Sequence, residues 1–146
     1  IVILILYGII LYQNSASYYF YSRAFSLNSS AANVLTCAEK AVNYNPCSKI
    51  YQYGLAKKYL DRHDFLKAEY HFKLAASCAY TWGALFGWAV SLDFMGRGEV
   101  AKDLYERIKM IAPDFEPASV NQNTLLHRFE ALNKTKTSRT YECGKS

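Results

Sequence analysis

The chain has 146 residues, room for one ordinary domain and too little for two well-cored ones. Seventeen Lys or Arg against 12 Asp or Glu leave a formal net charge of +5, and apolar (51%) and aromatic (16%) fractions this high exclude a disordered chain. Three Pro and 7 Gly exclude collagen-like and linker-like compositions.

Charge is unevenly spread. Residues 1–38 hold one charged side chain, Arg23, and the other 28 fall in residues 39–146. The head, IVILILYGIILY, makes Ile1, Val2, Ile3, Leu4, Ile5, Leu6, Tyr7, Ile9, Ile10 and Leu11 the candidates for assembly or anchoring. A helix of residues 1–12 rises ~18 Å, short of the roughly 30 Å hydrocarbon layer. It also lacks the positively charged leading region of a signal peptide. Two readings stay open: a piece of a longer membrane span, or a mature end buried in copies of itself or in a partner. Type IV pilins bury such a helix but carry Glu where this chain has Ile5, so only the idea of a buried assembly helix carries over. The juncture QNSASYYFYSRAF holds no Gly or Pro, so the helix is expected to run on to about Leu27.

The body repeats itself. Residues 49–80 and 82–113 each read as helix, short polar turn, helix. Leu55-Ala56 and Tyr59 match Trp88-Ala89 and Leu92; Ala68, Phe72 and Ala75 match Ala101, Tyr105 and Ile108; Pro113 closes the second unit. This pattern resembles the tetratricopeptide repeat, a helix–turn–helix unit of 34 residues, over roughly residues 17–113. Residues 17–46 read as a degenerate first unit. Tyr21-Ser22, Phe25, Ala41 and Pro46 fall at matching places, while Ala38 stands where an aromatic is expected and Asn33-Val34 where a small residue is.

The expected fold is therefore an all-α helical-repeat solenoid of about three units behind a long hydrophobic helix. Its divisions are a hydrophobic helix at 1–16 continuous with the first repeat helix, a repeat domain at 17–132, and a basic tail at 133–146. Leu125, Phe129 and Leu132 share one face of a capping helix over 117–132, with Pro117 in its first turn. Asp64 and Thr81 are the expected N-caps of the helices that follow them.

Four cysteines, Cys37, Cys47, Cys78 and Cys143, form no CxxC and have no neighbouring His. Either they are buried thiols, or they form two disulfides in an oxidising compartment, with Cys47–Cys78 stapling the middle hairpin and Cys37–Cys143 tying down the tail. Asn28 and Asn133 head glycosylation sequons in expected loops.

Catalytic chemistry finds no support. His63, His71 and His127 lack metal spacing, and Gly144-Lys145-Ser146 lacks the upstream glycine of a phosphate loop, where Arg139 stands. Gly83 and Gly87 form a GxxxG that fits close packing of adjacent helices. The tyrosines cluster at 7–21 and 44–59 while the basic residues are spread over helices and tail, and most aromatics recur at core positions, which argues against nucleic acid; the positive balance suits acidic glycans or anionic lipid surfaces. No cofactor, metal or catalytic residue is expected.

Two functions remain. The first is an extracellular or cell-surface structural subunit that polymerises with copies of itself through the head helix and solenoid stacking. The second is a membrane-anchored adaptor at the periplasmic or extracytoplasmic face, in contact with lipid and another extracytoplasmic protein. Its arrangement resembles the extracytoplasmic tail of O-antigen ligase-type membrane proteins, with residues 18–21 as an interfacial aromatic belt.

Overall fold

Helix-forming runs broken by short turns produce six helices in series: α1 (Val2–Ala24), α2 (Ala31–Tyr44), α3 (Lys49–Asp61), α4 (Phe65–Cys78), α5 (Trp82–Phe94) and α6 (Gly98–Ile111). The computed structural model describes residues 2–25, 31–78, 81–118 and 121, the side chains at 31, 32 and 78 apart. Each helix packs on its neighbours in the chain, and α3 also touches α5 directly. The first helices of the hairpins thus form one layer and the second helices another. Among the described residues there is no strand.

The turns follow from local chemistry. Ser48 caps α3 by accepting from the Tyr51 amide at 3.5 Å, and Asp64 caps α4 by accepting from the Lys67 amide at 3.3 Å. Thr81 holds the N-cap position of α5, but its side chain makes no capping bond. The two hairpin turns at 62–64 and 95–97 share a left-handed residue at matching places: His63 (φ 60°) in one and Gly96 (φ 75°) in the other.

Small residues sit where helices cross. Ala56, Ala68, Ala75, Ala89 and Ala101 are buried, and Tyr59, Phe72, Leu92 and Tyr105 fill the spaces between them. Pro113 stands exposed in the turn after α6. The interior falls into two clusters, one over the first two hairpins and one over the last, and the Trp88 ring packs against both.

The first unit departs from the sequence expectation. α1 ends at Ala24 rather than near Leu27, and six residues separate it from α2, where three separate the helices of the other hairpins. That extra length shifts α1 out of the repeat register. Ser17 and Ala24 are its buried residues, while Ser22 is exposed and Tyr21 only half-buried. Ala38, lacking a ring, is compensated from α1: Phe20 packs against this cluster and stacks on Tyr44 at 5.6 Å. Beyond α6 a helical turn starts at Glu116 and contains Pro117; Ala118 is buried, and the Asn121 amide donates to the Tyr105 hydroxyl at 3.3 Å. Leu125, Phe129, Leu132 and the tail lie outside the described residues.

Candidate interaction sites

α1 carries its apolar residues on every side. Val2, Ile3, Leu4, Ile5, Leu6, Tyr7, Ile9, Ile10 and Leu11 are each between 48% and 80% exposed; Ile1 lies outside the described residues. A helix apolar all round belongs in apolar surroundings, since water is the wrong solvent for every face of it. No described helix is long and apolar enough to cross a membrane. Aromatic rings mark where the head meets the body: Tyr12 lies edge-on to Tyr44 at 6.3 Å, and further along α1 Tyr18 and Tyr19 are exposed. The hydrogen bond with Tyr12 raises the Tyr44 pKa above its ordinary value.

A cavity of about 360 Å³ opens between the N-terminal turns of α3 and α5, lined by Lys49, Ile50, Tyr53, Thr81, Trp82, Gly83 and Ala84. Ile50, Tyr53 and Trp82 remain exposed there although they are large and apolar. The two aromatic rings are held in place from behind. Trp82 rests on Phe115 at 4.5 Å, and Tyr53 meets Phe72 edge-on at 5.6 Å. Gly83 adds no side chain to the wall, and a Cβ there would meet the Tyr53 hydroxyl only at an ordinary contact distance of 3.7 Å. The cavity suits a bulky apolar side chain, with the Lys49 ammonium at the rim for a neighbouring carboxylate. Of this set only Thr81 and Gly83 stood out in the sequence, as a cap and a packing glycine; the signal for the others was that Ile50, Tyr53 and Trp82 are apolar near the starts of successive first helices.

On the other layer, Glu39, Val42, Asn43, Leu55, Tyr59 and His71 line a cavity of about 270 Å³. The Tyr59 hydroxyl donates to Glu39 Oε1 at 2.6 Å, and its ring stacks on His71 with centroids 5.4 Å apart. Burial, reinforced by Glu39, raises the Tyr59 pKa; burial holds His71 below its ordinary value, with Lys67 pushing the same way and Glu39 opposing. One repeat further on, Lys73, Ala76, Ser77, Leu85, Trp88 and Arg107 line a related cavity of about 290 Å³.

The sequence-derived bridges are not formed. Cys37 and Cys47 are both free thiols, the first buried in α2 among the core of the first two hairpins, the second exposed in the turn before α3. The Cys78 side chain and Cys143 lie outside the described residues, as do Asn28, Asn133 and His127. His63 is an exposed turn residue, and no group of three or more His, Cys, Asp or Glu suited to a metal occurs among the described residues. Of the GxxxG pair, Gly87 packs against Phe72 of α4, while Gly83 faces the α3–α5 cavity.

Three helical hairpins in series, with small residues at the crossings, define a helical-repeat fold of the tetratricopeptide type. The chain superposes on the Arabidopsis OM64 TPR domain with a TM-score of 0.73 at 15% identity, covering 80% of this chain and 98% of that one. It superposes on the first TPR of Spaghetti (RPAP3), bound to the HSP90 peptide SRMEEVD, with a TM-score of 0.74 at 16% identity, covering 80% and 95%. No protein-family model and no curated protein matches the sequence.

Proposed function

We propose that this chain is a non-catalytic protein-interaction adaptor that takes an extended segment of a partner protein along the α3–α5 face. The observation that carries this reading is the cavity where exposed Tyr53 and Trp82, their rings packed on Phe72 and Phe115, stand with Ile50 beside Lys49. Ordered aromatic side chains in a concave apolar site are typical anchors of binding energy. The likeness to a repeat domain bound to a peptide supports the same reading. Peptides selected from a random array against the intact chain test it. Trp82→Ala is expected to weaken the selected peptides at least tenfold, about 1.4 kcal/mol or more, with helicity unchanged. Binding equal to the parent chain's would remove the cavity from the function.

The α1 head supports anchorage. Residues 2–11 rise about 15 Å, roughly half a hydrocarbon layer. Exposure on all sides of the head suits a medium without sidedness, such as one lipid leaflet. We infer a location at a membrane face, on the extracytoplasmic side. A second reading keeps the same observation but surrounds the head with helices of neighbouring copies in a surface filament; negative-stain images of detergent-free protein separate the two, because only the second gives regular fibres.

A further inference from the structure

The cavity between α2 and α4, floored by α3, stands apart from the α3–α5 face, and its hydrogen bonds determine what it can receive. The Pro46 carbonyl can only accept, so Gln52 Nε2 donates to it at 2.7 Å and Gln52 Oε1 is left as an acceptor. Gln52 is 2% exposed, so its amide has no alternative partner in water. His71 Nδ1, 2.7 Å from that oxygen, must therefore be the protonated nitrogen. In the neutral ring the lone pair then sits on Nε2. Tyr59 spends its hydroxyl proton on Glu39 Oε1, and Glu39 keeps a second carboxylate oxygen to offer.

The cavity is thus lined by the Glu39 carboxylate and by His71, whose ring stacks on Tyr59 and has no proton left on Nε2 when neutral. Lys67 lies over the Tyr59 ring and is tied to Asp64 at 3.2 Å; no cation is among the described residues that line the cavity.

We propose that this cavity is a binding site for a guanidinium group, the arginine side chain of a protein partner. A guanidinium carries donors only and forks onto a carboxylate. An anion would meet the Glu39 charge, and a purely apolar group would strip water from that carboxylate without replacing it. The acceptor character belongs to this step of the solenoid and not to the fold. In the next cavity Lys73 stands 34 residues after Glu39, Ala76 after Val42 and Ser77 after Asn43, with Arg107 added, so the same architecture is cationic there.

The test uses the intact ¹⁵N-labelled chain and N-acetyl-arginine amide, followed at the His71 ring nitrogens and the Asn43 amide. The expected result is an Nδ1-protonated ring and saturable shifts at both residues. The apparent affinity falls at least tenfold for the isosteric, uncharged N-acetyl-citrulline amide, and at least tenfold in Glu39→Gln, which can still accept from Tyr59 and whose helicity is checked by circular dichroism. Equal shifts with the citrulline compound, unchanged arginine binding in Glu39→Gln, a lone pair found on Nδ1, or no saturable shift in the parent chain would each overturn the proposal.

Discussion

Gly87 of α5 lies flat against the Phe72 ring of α4: a methyl group at Gly87 would fall 2.3 Å from the ring's Cε1. Phe72 is almost wholly buried and cannot swing away. Gly87→Ala is therefore expected to cost about 1–3 kcal/mol in overpacking, reduced by the ~1 kcal/mol that alanine gains over glycine within a helix. Gly83→Ala, whose methyl meets Tyr53 only at van der Waals distance, should be neutral or slightly stabilising. Urea denaturation of both variants checks the contrast, and an equal effect at the two glycines would contradict it.

The paired turns make a second contrast. His63 and Gly96 occupy the same left-handed place in successive hairpins. A side chain with a Cβ costs roughly 1–2 kcal/mol there, of which glycine gives back part through its freer unfolded chain. His63→Gly should raise stability by about 0.5 kcal/mol, and Gly96→Ala should lower it by about 1 kcal/mol. Thermal melts of the two variants decide the signs.

Stability should fall on mild acidification. Burial holds the folded His71 pKa below its ordinary value of 6.5, so between the two values the unfolded chain binds more protons. The contribution is intact above pH 6.5 and is lost as pH drops from there through the folded pKa. His71→Gln is expected to flatten this part of the profile, measured as the melting temperature between pH 8 and pH 5. An unchanged slope would assign the pH dependence to other groups.

The apolar head should be dispensable for folding. Residues 2–11 are exposed and add nothing to either core cluster, so their deletion is expected to leave the melting temperature and the body's helicity unchanged. The same deletion should abolish flotation with phospholipid vesicles. A truncated chain that still floats would place the membrane contact elsewhere.

Much of the body was legible in the residues. Ala56 and Ala89, Ala68 and Ala101, and Phe72 and Tyr105 recur at a fixed step because each hairpin meets the same packing problem, and a local solution leaves a local periodic trace. The first unit was harder to read: its helix register depends on the longer connection between Ala24 and Ala31, which no periodicity encodes. The thiols stayed open between two readings for a related reason, since spacing alone cannot tell a buried Cys37 from a bridged one.

Composition and periodicity alone established the helical solenoid and the apolar head, because hydrophobic pattern and small-residue spacing act over one or two helical turns. The interaction sites came only from folding. Tyr53 and Trp82, or Glu39, Tyr59 and His71, stand on different helices and become neighbours only when α2, α3, α4 and α5 pack side by side. Burial then decides their chemistry, since a proton's place on His71 depends on a buried Gln52 held within hydrogen-bond reach of the Pro46 carbonyl.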